Sequence, residues 1–221
     1  MAIRPIFMSA LDNNMYYKKI LVNFEWFPGF SISQKQKSIN SLHTSFLLNH
    51  EIEGNILEIS TKSNNPLGNK LSSFNLAILN ANGQKETVEE AYQKGKIFYD
   101  NFKVDDETDI RKIRNENRNH KIKGFTYNNI EFPNYPESLF YDWLYMLFLY
   151  NNPKYIFEIT GNNYIAFSDI EFNPSKSISS QARASAIFVS LYKKGLIRDH
   201  TFFDRDNFIK FYTENVDRRL V

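Results

Sequence analysis

"SLFYDWLYMLFLY", residues 138 to 150, is the most apolar run of the chain, and the fold turns on what it can be. A helix that crosses a bilayer needs roughly 20 consecutive apolar residues. This run is shorter and carries Asp142, so it reads as a helix buried in a protein core. A helix that is apolar all round must be covered on every side by other elements. It ends at Asn151-Asn152-Pro153, and a short helix around residues 155–159, closed by Gly161, follows it.

The covering elements can be read outward from there. "KKILVNFEWFPGF" (18–30) has strand-like content up to the turn signal Pro28-Gly29. In "SISQKQKSINSLHTSFLL" (31–48) the apolar positions Ile32, Ile39, Leu42, Phe46 and Leu47 take helical spacing. "NILEIST" (55–61) and "SFNLAIL" (73–79) read as strands, and Asn82-Gly83 is a tight-turn pair. From Thr87 the pattern is mostly helical. "RKIRNENRNHKIKG" (111–124) is too polar to pack and reads as a loop, with one helical turn at most, joining the halves of the fold.

Downstream, "YIAFSDIEFNPSKS" (164–177) is an extended or irregular connection cut by Asn173-Pro174. "ISSQARASAIFVSLYKKG" (178–195) reads as a helix whose small face, Ala182, Ser185 and Ala186, permits close packing before Gly195 stops it. A last helix takes in Phe208, Phe211, Tyr212 and Val216. Together these predict a helix-rich α+β fold: a single domain over 1–221, a few short strands mainly in the N-terminal half, and residues 1–50 as an extension packed on it.

Composition bounds the function. With 42% apolar and 24% charged residues the 221-residue chain is globular and long enough for one substantial core. Its 20 Phe, 13 Tyr and 2 Trp thicken that core and offer surfaces on which a base could stack. The net charge of +2 means that a nucleic-acid partner must be met by a local patch. The absence of cysteine excludes disulfides, a thiol nucleophile and thiolate metal sites. The opening "MAIRPIFMSALDNNMYYKK" lacks the charged-then-apolar run of a signal peptide, and a cytoplasmic location is expected. The histidines, His43, His50, His120 and His200, show no metal spacing, so neither metal nor cofactor is expected.

Chemistry concentrates in "TVEEAYQKGK" (87–96). Thr87 and Glu90 form a capping box. At 100° per residue Val88, Ala91, Tyr92, Gly95, Tyr99 and Phe102 share a core face, and Gly95 lets another element come close. Glu89, Gln93 and Lys96 then line up beside that face at i, i+4 and i+7. Glu89, in the first turn, is favoured as a carboxylate by the helix dipole and is placed to serve as a base. The same stripe is also what an ordinary half-wet helix presents.

"LSSF" (71–74) followed by "TVEEAYQKGK" resembles the paired signature of the NADAR family, an L/F-S-N-F-like segment before a T-S-E-H-x-F-Q-x-x-K-like helix start. Ser73 stands where that family often has Asn, and Val88 and Glu90 replace its usual Ser and His. "FEWFPGFSISQKQKSI", "LEISTKSNNPLG", "SLFYDWLY" and "SDIEFNPSKSISSQARA" extend the likeness from about residue 20 to 196, in the order of one branch, the antitoxins encoded beside DarT-type DNA ADP-ribosyltransferases. The resemblance implies a hydrolase that cleaves the N-glycosidic bond between ADP-ribose and guanine in single-stranded DNA, with ADP-ribosylated DNA as substrate and a DarT-type toxin as functional partner. It places Glu89 on the family's catalytic glutamate, Gln93 on its glutamine and Lys96 on its lysine.

Such a reaction passes through an oxocarbenium-like transition state and asks for one carboxylate at the sugar and a proton for the leaving base. Asp169 is the candidate for the second carboxylate, with Glu171 a rival and a turn cap the structural alternative. Gln93 and Lys96 would hold Glu89 or ribose hydroxyls. Lys62, in a Ser/Asn/Gly-rich loop, is a candidate for the pyrophosphate, Phe74 and Asn75 for the pocket lining, and Asn173 for a ribose or base edge. Arg111, Lys112, Arg114 and Arg118 form the densest basic stretch, and Trp26 with Phe27 offers a stacking surface; a solvated loop and a core aromatic pair are the plainer readings. Two other functions fit the residues: an N-glycosidase of phosphorylated riboflavin-pathway intermediates, and a non-catalytic module that binds ADP-ribose or the toxin.

Overall fold

The computed structural model describes residues 1–12, 15–80, 83–103, 109–175 and 177–216. Its main sheet has four strands in the order β2-β1-β9-β3, formed by β1 (Ala2–Ser9), β2 (Tyr17–Phe24), β3 (Asn55–Glu58) and β9 (Tyr164–Ser168). β1 runs antiparallel to β2 and β9, while β3 and β9 run parallel. Successive side chains of a strand point to opposite faces. On β1, Ile6 therefore joins a cluster with Val22, Phe24, Ile39, Leu42 and Phe46 under α1 (Ile32–Asn49), while Phe7 joins the larger core on the other face.

That larger core is built on two buried helices, α5 (Leu139–Tyr150) and α7 (Gln181–Lys193). α5 is buried from Leu139 through Leu149, as its sequence requires. Asp142 is accommodated by Arg183 of α7, whose Nη2 lies 2.5 Å from Oδ2, and by the Tyr212 hydroxyl at 2.7 Å, from α8 (Arg205–Asn215). The small face of α7 does bring the helices together, and Ser185 donates to the Tyr145 hydroxyl at 3.1 Å. The short helix α6 (Pro153–Gly161) links α5 to β9.

Between β3 and α5 lie α2 (Pro66–Lys70), the hairpin of β4 (Ala77–Leu79) and β5 (Lys85–Thr87), and α3 (Val88–Lys94). After these come β6 (Lys96–Phe98), α4 (Ile110–Asn117), β7 (Ile122–Tyr127) and β8 (Ile130–Pro133). The last three strands form an antiparallel sheet in the order β6-β7-β8.

Four expectations need correction. Residues 111–124 are not a loop: they hold most of α4 and the start of β7, because Asp109 caps the helix by accepting from the Arg111 amide at 2.8 Å, and Ile113 and Asn117 give it a narrow buried edge. The helix from Thr87 does not run on to Tyr99 and Phe102; it ends at Lys94, and Lys96 pairs with Phe125 in a strand. The strand expected over 73–79 is confined to Ala77–Leu79, since Ser72 accepts amides from Asn75 and Leu76 in a turn. The first fifty residues are woven into the domain, supplying β1 and β2 of the main sheet. Asn82 of the expected tight turn, with Ala81, lies outside the described residues.

Candidate active site

α3 begins as its capping box dictates. The Thr87 hydroxyl accepts from the Glu90 amide at 3.2 Å, and the Glu90 carboxylate takes the Thr87 amide at 2.8 Å. The Glu89 amide is anchored separately, on the Ser73 carbonyl at 2.9 Å, so the "LSSF" turn and the helix start are tied to each other. This fixes the direction of the Glu89 side chain, which is 7% exposed. Gly95 ends the helix where a Cβ would stand only 2.4 Å from the Thr126 carbonyl; the absence of a side chain is what lets β7 approach.

The expected stripe is real and is wired in series. Gln93 Nε2 donates to Glu89 Oε1 at 3.0 Å, and Lys96 Nζ donates to Gln93 Oε1 at 2.7 Å. The cation that meets Glu89 is Arg114, whose Nε lies 3.0 Å from the same Oε1. Arg114 is steadied over the Phe74 ring at 5.4 Å, and Asn117 Nδ2 braces Gln93 at its carbonyl, 3.0 Å, and its Oε1, 3.1 Å. Both donors to Glu89 share Oε1, so Oε2 takes no part in that clamp. Burial, partly offset by Glu89 and reinforced by Arg114 and Arg118, lowers the Lys96 ammonium to about 8.

Glu89 and Asp169 line one cleft of about 410 Å³, together with Phe74, Gln93, Arg114, Arg118, Tyr141 and Asn173. A larger cavity of about 570 Å³ adjoins it across Phe172 and Ser177, but there Arg183 is already engaged by Asp142; the carboxylates converge in the smaller one. Asp169 follows β9 and does cap a turn, its Oδ1 accepting from the amides of Glu171 at 3.1 Å and Phe172 at 3.2 Å. It nevertheless faces the cleft. Burial first, and then the nearby Glu58 carboxyl, push Asp169 well above the usual carboxylate range. Its rival Glu171 lines the cleft too, but is paired with Lys35 at 3.0 Å.

Other expected residues fall elsewhere. Lys62 sits outside the cleft, in the turn between β3 and α2, with its amide on Ser60 Oγ. Asn75 braces α2 by donating to the Asn69 carbonyl and Oδ1. Arg111 and Lys112 are exposed on α4 away from the cleft, Arg118 stands at its rim, and Asn173 holds Ser175 at 2.7 Å. Trp26 does not line the cleft; Arg4 and Lys35, the latter paired with Glu171 of the cleft, lie over its ring. The sequence reading missed Ser73, Tyr92, Tyr141 and Gln181. Burial and the Glu89 charge raise the Tyr141 phenol well above its ordinary value and Tyr92 to about 12, so both stay neutral donors. A phenol in the first turn of so apolar a helix as α5 was the available signal for Tyr141. Among the described residues, no group of three or more His, Asp or Glu is placed to hold a metal ion.

The fold and the cleft define a class: an α+β domain that turns two differently housed carboxyls toward one polar cleft under a basic helix. The chain belongs to the DarT1-associated NADAR antitoxins, whose family model matches residues 2–219. No curated protein matches the chain. Among the described residues, no helix is long and apolar enough to cross a membrane.

Proposed function

We propose that this antitoxin is a hydrolase that removes ADP-ribose from guanine in single-stranded DNA, undoing the modification made by a DarT-type toxin. The observation that carries the reading is the pairing of unlike carboxyls in one cleft. Glu89 is held in an ion pair by Arg114, whereas Asp169 is buried beside a second acid and driven toward its neutral form. A carboxylate held by a cation and a second carboxyl kept neutral by its burial are the two states that a base and an acid in one site require. Membership of a toxin-associated NADAR family supports the same reading.

In this mechanism Glu89 takes a proton from water, or stabilises the developing cation, as the water oxygen bonds to the anomeric carbon of the distal ribose. The carbon–nitrogen bond breaks, its electron pair goes to the guanine nitrogen, and Asp169 delivers the proton that the departing base needs. One water is consumed, and free ADP-ribose and intact guanine result. Gln93 and Lys96 keep Glu89 in place, and Tyr141 is a neutral donor for a ribose hydroxyl. Arg118 at the rim, and not Lys62, is the cation placed for a phosphate.

The test is incubation of single-stranded DNA carrying ADP-ribosylated guanine with wild type and Glu89→Gln, quantifying free ADP-ribose and restored oligonucleotide. Release by wild type and its loss in the folded variant are expected. No release by wild type would sink the reading, and turnover of a phosphorylated riboflavin-pathway intermediate, or binding without turnover, would replace it.

A further inference from the structure

Behind Asp169 lies a second polar chain, buried at Glu58 and Ser168 and half-buried at His43, that the cleft chemistry does not use. The parallel pairing of β3 and β9 sets Glu58 opposite Ser168, the residue just before Asp169. Glu58 Oε1 accepts the amide of Ile170, just after Asp169, at 2.8 Å, and Glu58 Oε2 accepts the Ser168 hydroxyl. One carboxylate thus grips both chain neighbours of Asp169. Ser60 supplies a further side-chain bond to Glu58. Ser168 has one hydroxyl proton, and it goes to Glu58. The remaining contact of that hydroxyl, with His43 Nε2 at 2.7 Å, is therefore donated by the imidazole.

The direction of this chain decides the charges. Burial lowers His43 to about 4, so it is a neutral donor and brings no positive charge to the cluster. Glu58 is fully enclosed, and burial raises it as well, so two interacting buried acids share a site that cannot hold two negative charges. Glu58 collects donors on both oxygens, from Ile170, Ser168 and Ser60, whereas Asp169 has two backbone amides on Oδ1 alone. The charge settles on Glu58 and the proton on Asp169. Glu171 adds a like charge from the turn itself, while Arg4 on β1 opposes it and Tyr141 on α5 is neutral. Lys35 on α1 is spent on Glu171.

We propose that Glu58, oriented by Ser168 and His43, is a positioning residue that keeps the proton on Asp169 and fixes its backbone, so that Asp169 enters each turnover as an acid. The proposal rests on the acid role given to Asp169 above, and it adds the groups that create that role. Glu58 does not line the cleft, so its effect reaches the substrate through Asp169 alone.

The experiment has two arms. Carbon-13 NMR of protein labelled at Asp and Glu carboxyls follows Asp169 with pH and without substrate. In wild type Asp169 and Glu58 are expected to titrate as a coupled pair, and in Glu58→Gln Asp169 is expected to titrate about one pH unit or more lower. Turnover forms the second arm: in Glu58→Gln the alkaline limb of the kcat profile moves to lower pH by the same amount, with KM little changed. If Glu58→Gln does not fold, Ser168→Ala, which strips a donor from Glu58, is expected to shift the same titration in the same direction. An Asp169 titration unchanged by either variant, or a kcat loss equal at every pH, overturns the proposal. A wild type that shows the coupled titration but no hydrolysis overturns the function and leaves the carboxyl pair standing.

Discussion

In the proposed reaction Glu89 is the residue on which the chemistry rests, and its surroundings set what each substitution does. Glu89→Gln retains the side-chain length and an oxygen for Gln93 but removes the charge, so kcat should fall by about 10²–10⁴-fold with the unfolding transition in place. Single-turnover release of ADP-ribose measures it. Arg114→Ala opens the ion pair; Arg114 is 39% exposed, so the stability cost is about 1 kcal/mol or less, and the effect should appear in activity. Lys96 makes a separate prediction in pH. Above about pH 8 the folded chain has released the Lys96 proton, while the unfolded chain keeps it until about 10.5. Unfolding then takes up a proton, and stability from this residue rises with pH through that window. Above about 10 the raised Tyr92 works in the opposite sense, so the rise should be sought in Tm between pH 8 and 10 and should vanish in Lys96→Met.

At the scale of elements, the parts legible in the sequence are those whose partners lie close in the chain. The Thr87–Glu90 box and the Glu89–Gln93–Lys96 stripe are within ten residues, and both were readable, although Lys96 proves to be on a strand. α4 was not readable. Only Ile113 and Asn117 among its residues are buried, and a helix with so narrow an apolar edge looks like solvated loop until α3 is placed beside it. The β7–β8 hairpin left a clearer trace that went unread: Asn128 and Asn129 take φ of 48° and 62°, the left-handed pair that a two-residue hairpin turn needs. The junction of α3 and β6 can be tested directly. Gly95→Ala places a Cβ against the Thr126 carbonyl and should cost about 1–3 kcal/mol in chemical denaturation, with a parallel loss of turnover as Lys96 leaves Gln93.

For the whole molecule, the site depends on α5 and α7 being clamped together, since Tyr141 and the approach to Gln181 come from them. Asp142 and Arg183 form that clamp, and neither residue's role could be read without the other's position. Asp142→Ala strands a buried guanidinium and should cost about 3–5 kcal/mol, read from the denaturation midpoint. Replacing both partners by apolar residues of similar volume should recover most of it. Asp169 likewise gains its meaning only from the β3–β9 pairing, 110 residues apart in sequence at the Ser168–Glu58 bond. The central claim is that the two carboxyls divide base and acid between them, and one measurement addresses it most directly: the pH profile of single-turnover ADP-ribose release from guanine-modified single-stranded DNA, in wild type, Glu89→Gln and Asp169→Asn. A wild-type rate that falls on the alkaline side, with that fall lost in Asp169→Asn and with release lost at every pH in Glu89→Gln, is the predicted result; full activity in either variant, or a wild type inert at every pH, would contradict it.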